Sequence, residues 1–235
     1  MKISKQIIGV LMGGGVGLIS GAVLADNGAV AQLSGMLTVR KADGSVRILS
    51  QKSEIQNGDT INTQRDSYAQ IKFPDGGQIT LKPNTSVKLD RFNFTQAEPQ
   101  KDSMLFGLIR GGMRAVTGLV GKRGDPDAYQ METATATIGI RGTTYGADDC
   151  ATTKCGSLQD GVYVSVADGE IVAKNAAGAV SYLAGQFGSI ESRDRLPRFL
   201  STDPGLQFTP PASFIQSITG GTVVNSGKSM ECVVR

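Results

Sequence analysis

Short segments in which apolar and polar residues alternate run through most of this chain. Such alternation is typical of strands with one buried and one exposed face. Turn sequences separate the segments, among them Asp43-Gly44, Asn57-Gly58 and Pro74 to Gly77. Strands are therefore predicted at residues 35–40, 46–49, 60–63, 68–73, 78–81 and 86–89.

The longest alternating segment covers residues 133–145. Read with a period of two, it places Ala134, Ala136, Ile138 and Ile140 on one face and Thr133, Thr135, Thr137, Gly139 and Arg141 on the other. Its threonines and isoleucines suit a pleated strand, and its alanines and glycines leave little bulk on either face. The segment predicts a central strand, with a bulge, a bend or a facing backbone at Gly139 and Gly142.

Two further segments are predicted as paired strands. Residues 103–120 fit either a helix or two short strands, and Gly111-Gly112 favours a strand, a turn and a second strand because glycine is costly inside a helix. Asp168-Gly169 predicts the turn of a hairpin formed by residues 162–166 and 170–173, and residues 180–187 predict the last strand.

Clean periodicity ends at Ser189. Residues 191–235 therefore predict a C-terminal tail that wraps the domain or stays mobile, in which 213–218 is a weak helix candidate. The predicted fold class is all-β, either an antiparallel-rich two-sheet sandwich or a solenoid-like β domain, with a poorly structured C-terminal tail. Its predicted parts are 1–25, 26–190 and 191–235.

The N-terminus has the features of a secretory signal peptide. Lys2 and Lys5 precede an apolar run from Ile7 to Leu24, and Val23-Leu24-Ala25 offers small residues at a processing site. A retained transmembrane anchor is the alternative, although six glycines dilute the run. Cleavage near Ala25 predicts a periplasmic or secreted protein.

The composition argues against several classes of function, namely nucleic-acid binding, histidine-based catalysis and metal binding. The formal net charge of +3 falls to +1 once Lys2 and Lys5 are removed, which gives no support for nucleic-acid binding. The chain has no histidine, the commonest general base and metal ligand, and no tryptophan. We expect no catalytic residues, no bound metal and no cofactor.

The chain has three cysteines. Disulfides persist in exported proteins, so these cysteines are candidates for disulfide bonds. Cys150 and Cys155 are separated by four residues in a polar segment and predict a local disulfide. Pairing of either one with Cys232 is the alternative. Zinc would need a fourth ligand, and the spacing is not that of a Cys-x-x-Cys redox motif.

Charged residues near the central strand allow more than one interpretation. Asp148 and Asp149 could act as a carboxylate pair, but adjacent strand residues point to opposite faces, so solvation in a loop is favoured. Arg141 could hold a ligand anion, but pairing with a carboxylate of this chain is favoured. Lys122-Arg123 has Asp125 and Asp127 nearby and is interpreted as solvated surface.

An ordered set of short motifs resembles the FecR domain family over roughly residues 35–188. The motifs are Gly58-Asp59-x-Ile61-x-Thr63, Ala69-x-Ile71-x-Phe73-x-Asp75-Gly76, Ile79-x-Leu81-x-Pro83-Asn84-Thr85, Thr133 through Ile140-Arg141-Gly142-Thr143, Val164-x-Val166-x-Asp168-Gly169 and Ala184-Gly185-Gln186. The resemblance implies a bacterial extracytoplasmic all-β domain. Thr137, Gly139, Arg141, Gly142, Thr143, Asp168 and Gly169 are its structural motif residues.

The resemblance also shapes the expected function. The best-known members of the family relay a signal to a cytoplasmic sigma factor. Only residues 1–6 precede the apolar run here, so no direct sigma-factor contact is expected. We expect an exported non-catalytic domain that binds an envelope protein or cell-wall component. The alternative is a secreted structural or adhesive protein that assembles through its tail and Cys232.

Overall fold

The computed structural model describes residues 28–206, 210, 211 and 214. Within them, 15 strands form one continuous hydrogen-bonded sheet of mixed direction, and Pro99–Lys101 form a short 3-10 helix. The strands are β1 Gly28–Ser34, β2 Leu37–Arg40, β3 Val46–Leu49, β4 Glu54–Ile55, β5 Thr60–Thr63, β6 Tyr68–Lys72, β7 Gln78–Leu81, β8 Ser86–Asn93, β9 Ser103–Val116, β10 Tyr129–Glu132, β11 Thr137–Asp149, β12 Val162–Asn175, β13 Gly178–Leu183, β14 Phe187–Ile190 and β15 Arg198–Leu200. The predicted all-β class is confirmed.

The sheet divides into two halves that share three strands. The front half has the order β3-β2-β5-β8-β9-β10-β11-β12-β13. The back half has the order β4-β1-β6-β7-β9-β11-β12-β14-β15. β9 and β10 run parallel, whereas the other pairings within the described residues are antiparallel.

The three shared strands pass from one half to the other at a glycine. β9 pairs with β8 and β10 before Gly111 and with β7 and β11 from Gly111 onward. β11 and β12 exchange neighbours in the same way at Gly142 and Gly169. These glycines have φ values of +83°, +62° and +79°, a region that side chains with a Cβ rarely adopt. We call Gly111, Gly142 and Gly169 the corner glycines.

The corner glycines correct two predictions. Gly111-Gly112 does not form a turn between two strands, because β9 continues through both residues. Asp168-Gly169 is likewise not a hairpin turn, because β12 is one strand of 14 residues. Gly142 forms the expected bend, whereas Gly139 lies in regular pairing with Gln130 and Val172.

The central strand begins later than predicted. Thr133 closes a turn in which its backbone N–H and its Oγ1 both donate to the Ala136 carbonyl, at 2.9 and 2.8 Å. Regular pairing therefore starts at Thr137. The expected interior position is confirmed, because β11 has strand neighbours on both sides over Thr137–Gly139 and again over Thr144–Asp149.

One hydrophobic core contains residues from both halves. Phe73 of the back half and Phe92 of the front half pack with ring centroids 5.0 Å apart. Tyr129, Tyr145 and Tyr182 are also buried. Burial raises the pKa of Tyr182 to about 12 and that of Tyr145 well above its ordinary value. These phenols stay neutral near pH 7.

Other strands were not expected from the pattern. They are β1, β4, β10, β14 and β15, and β15 carries the sheet beyond Ile190. The segment after β15 returns to the sheet, since Phe214 is buried and its ring centroid lies 6.1 Å from that of Tyr68. The predicted signal peptide, most of the proposed 213–218 helix and Cys232 lie outside the described residues.

Candidate binding groove on the back half of the sheet

Most of the motif residues predicted from the sequence gather at the corners of β11 and β12. Thr143 is buried, and its Oγ1 donates to the Glu170 carbonyl at 2.6 Å. A Cβ on Gly169 would lie 2.6 Å from the Gly142 carbonyl oxygen. The corner thus needs a glycine at 169 and a hydrogen-bonding residue at 143. Thr137 and Gly139 lie in the straight part of β11, and Asp168 is exposed opposite Thr144.

Arg141 does not make the ion pair that was predicted for it. It is exposed, and Glu170 lies opposite it in register on β12. No carboxylate among the described residues comes within ion-pairing distance of its guanidinium, although Glu170 is its register partner. Arg141 therefore keeps an unpaired positive charge at the bend.

The local disulfide is confirmed. Cys150 and Cys155 are bonded, with Cα atoms 5.2 Å apart, in the connection between β11 and β12. Asp149 is buried at the start of this loop, and its Oδ1 accepts the N–H groups of Ala151 and Thr152 at 2.9 and 3.2 Å. Asp149 is thus part of the loop's frame, and it is not the solvated carboxylate that was predicted.

Replacing both bonded cysteines should lower stability only modestly. A ring of six residues restricts the unfolded chain little, so the loss in the free energy of unfolding should be about 2 kcal/mol in a Cys150→Ala, Cys155→Ala variant. Urea denaturation followed by circular dichroism measures it. Failure of the variant to fold would mean that the disulfide supports the sheet as well as the loop.

A groove of about 260 Å³ lies on the outer face of the back half. Its floor comes from β9, β11 and β12, where Arg114, Gly146 and Ser165 lie side by side in register. Asp203, Pro204 and Leu206 of the segment after β15 contribute to its walls. The glycine makes the groove possible, since a Cβ at position 146 would lie 2.8 Å from the Ser165 Oγ.

An ion pair forms one end of the groove. The Lys82 Nζ lies 2.6 Å from the Asp148 Oδ1 and also donates to the Leu206 carbonyl at 2.7 Å. Burial raises the pKa of the Asp148 carboxyl above its ordinary value of 3.8, although the Lys82 ammonium opposes the shift. Lys82 thus neutralises a largely buried acid and fixes the following segment to the sheet.

The other side chains give the groove a mixed chemistry. Arg114 is exposed, and its guanidinium makes no hydrogen bond or ion pair within the described part of the chain. The Tyr163 hydroxyl donates to the Gln159 carbonyl at 3.0 Å, which directs its ring along the wall. A guanidinium beside apolar walls suits a ligand group that combines an acceptor with some apolar surface.

Sequence reasoning missed Lys82, Arg114 and Ser165 as groove residues. Lys82 and Asp148 are 66 residues apart, and no local pattern links them. Among residues 28–206, 210, 211 and 214, no group of three acidic or cysteine side chains is placed to hold a metal ion. Over the same residues, no helix has the length and apolarity to cross a bilayer.

Comparison with known families agrees with this architecture. Residues 59–172 match the family model described as FecR protein. The chain carries a FecR domain. The matched region starts just before β5 and ends within β12. It therefore contains all three corner glycines and the ion pair of the groove. No curated protein matches the chain.

Solved structures resemble parts of the FecR-domain chain. Two crystal structures of a candidate anti-sigma factor from Parabacteroides distasonis ATCC 8503 have 13% and 14% identity and TM-scores of 0.45 and 0.46. Each alignment covers 61% of this chain and 60% of the other. A cell surface anchoring domain aligns with 27% identity and a TM-score of 0.26, over 27% of this chain and 83% of its own.

Proposed function

We propose that this FecR-domain chain is an exported, non-catalytic binding protein whose groove receives part of an envelope protein or a cell-wall component. The observation that carries the proposal is that the guanidinium of Arg114 is unpaired within the described residues, whereas Lys82, Asp148 and Tyr163 of the same groove bond to other residues of the chain. The disulfide between Cys150 and Cys155 supports export, since such bonds persist in oxidising compartments.

The size of the groove favours one projecting group of a larger partner. Pockets that enclose whole small molecules usually have volumes of about 300–1,000 Å³, and this groove is smaller. A side chain or a short branch of a polymer fits the volume. We infer that the bound group presents an acceptor to Arg114 and apolar surface to Pro204 and Leu206.

The chemistry of the groove supports binding over catalysis. Ser165 would need a base to act as a nucleophile, and the chain contains no histidine. The nearby carboxylate of Asp148 is engaged by Lys82, and Lys82 is itself held by two acceptors. These residues are therefore assigned to structure and recognition.

Arg114→Gln tests the proposal directly. A photo-crosslinking amino acid at Ser165 should capture a partner in the native envelope, and Arg114→Gln should reduce the captured yield about tenfold, equivalent to about 1.4 kcal/mol. Arg91→Gln is the matched control, because Arg91 is an exposed strand arginine on the front half. Mass spectrometry of the crosslinked band measures the yield.

Two results would count against the proposal. Equal yields from the unaltered protein, Arg114→Gln and Arg91→Gln would show that the groove does not recognise the partner. A disulfide-linked dimer through Cys232 as the main captured species would instead support the structural or adhesive alternative.

A further inference from the structure

Two cationic side chains line one cavity at the corner of β11, outside the groove. Arg141 is exposed and unpaired, as described above, and Lys122 lies beside it in the loop after β9. The Lys122 Cγ is 3.6 Å from the position that a Cβ on Gly142 would occupy, so its aliphatic stem runs past the corner glycine. Neither side chain has a hydrogen bond or an ion pair within residues 28–206. Both line a cavity of about 410 Å³.

The loop that carries Lys122 is fixed at its first end by the corner itself. The Thr117 backbone N–H and Oγ1 donate to the Thr143 carbonyl at 3.0 and 2.6 Å, and the Thr143 N–H donates back to the Thr117 Oγ1 at 3.0 Å. The Gly142 N–H donates to the Gly121 carbonyl at 2.8 Å. Lys122 is therefore held next to the strand that carries Arg141.

The other end of the loop is fixed by Arg123. Its Nε lies 2.9 Å from the Asp102 carboxylate, its two terminal nitrogens donate to the Gln96 and Thr95 carbonyls, and its guanidinium stacks 4.9 Å from the centroid of Phe94. Arg123 was interpreted as solvated surface beside Asp125 and Asp127, but its partner is Asp102. Its charge is thus balanced, and it acts as an anchor.

The acids around the cavity leave the two cations unbalanced. Asp125 lines the cavity and its Oδ1 accepts the Asp127 N–H at 2.8 Å, so its one negative charge is retained and can offset only one of the two cations. Glu170 faces Arg141 from β12 without reaching it, and Asp168 is paired in register with Thr144. Lys122 and Arg141 therefore place two unpaired positive charges on backbone segments that hydrogen bonds hold next to each other.

We propose that Lys122 and Arg141 form a binding site for a doubly charged oxyanion of the phosphate type. The planar guanidinium of Arg141 suits two oxygens of one anion, and the Lys122 ammonium supplies a second charge. The anion relieves the repulsion between two neighbouring cations, and the exposed cavity lets it enter from solvent. The site is independent of the groove and of the partner proposed for it.

Titration with inorganic phosphate tests the site. In ¹⁵N NMR spectra of the full processed chain, phosphate should shift the amide signals of residues at the corner, such as Gly121 and Gly142. Arg141→Gln and Lys122→Gln should each weaken the apparent affinity at least about threefold, the effect of one exposed charge pair. Arg47→Gln on the edge strand β3 should leave it unchanged.

Asp125→Asn gives an effect of opposite sign. The amide oxygen can still accept the Asp127 N–H, while the negative charge beside the cavity is lost, so phosphate should bind more tightly. Acetate, a single-charge oxyanion, should bind more weakly than phosphate to every variant that retains both cations.

Three outcomes would overturn the proposal. Unchanged phosphate affinity in both Arg141→Gln and Lys122→Gln would show that the corner is not the site. An equal loss in Arg47→Gln would indicate general attraction to the surface charge. Equal affinity for phosphate and acetate would show that the pair does not select a second charge. Circular dichroism of each variant confirms that the corner has folded, and Arg114→Gln should titrate like the unaltered protein.

Discussion

Gly111→Ala is expected to lower the free energy of unfolding by about 3 kcal/mol, the larger of two effects compared at the sheet corners. Gly111 has a φ of +83°, which costs a residue with a Cβ about 1–2 kcal/mol. Its Cβ would also lie 2.7 Å from the Thr85 Cα and 2.9 Å from the Asn84 carbonyl, and both are backbone atoms that cannot rotate away. Urea denaturation of the protein measures the loss.

Gly142→Ala is the matched control for this substitution. Gly142 also has a positive φ, but its Cβ would meet nothing closer than the Lys122 Cγ at 3.6 Å. The loss should therefore reflect backbone strain alone, about 1 kcal/mol. A loss at Gly142 as large as that at Gly111 would mean that close backbone approach does not set the cost of these corners.

Lys82→Met should destabilise the protein by about 3 kcal/mol near pH 8. The Asp148 side chain is only 13% exposed, so removing the ammonium leaves a carboxylate in a site that solvates it poorly. The methionine fills the space of the lysine stem, which limits any packing loss. Unfolding free energies of the variant and the unaltered protein over a range of pH measure the effect.

The pH dependence has a definite sign. Burial already raises the pKa of Asp148 above 3.8, and loss of Lys82 removes the influence that opposes this rise. The folded state then holds the proton more tightly than the unfolded state, so stability falls as the pH rises from about 3.8 through the raised pKa. The difference between variant and unaltered protein should be small at acid pH and full at pH 8.

The double variant Lys82→Met, Asp148→Asn is the control. It removes both charges, so it should recover most of the lost stability and show little of the added pH dependence. If Lys82→Met were equally destabilised at acid pH and at pH 8, the loss would come from the hydrogen bond to Leu206 and from packing, and not from the unpaired, largely buried charge of Asp148.

Alternation alone predicted most of the strands, because one face of each is buried. The hairpin of β2 and β3 and the strands β5, β6 and β7 lie where the pattern places them. Gly111 and Gly169 were misinterpreted because a glycine with positive φ suits both a hairpin turn and a bend within one strand. The local sequence does not separate the two. The partners of the flanking residues decide between them, and these are distant in the chain.

The candidate site was less predictable than the fold. The disulfide between Cys150 and Cys155 was predicted from the short spacing and from the expectation that the chain is exported. Asp148 was expected to be solvated, since its partner Lys82 follows β7 and is brought near it only because β9 pairs with both β7 and β11. Arg141 was expected to be paired, and Glu170 does lie opposite it in register, yet the two side chains form no ion pair. The partners of these side chains are set by strand register and by pairings between distant segments, and the local spacing of residues does not contain this information.

The three strands that pass through both halves have a consequence for how the protein comes apart. β9, β11 and β12 each supply hydrogen bonds to the front half before their corner glycine and to the back half after it, or the reverse. If one half unfolded alone, the three shared strands would lose their hydrogen bonds in that half while they remained part of the other half. The two halves form a single cooperative unit, and energy gained by binding at either surface stabilises the whole sheet.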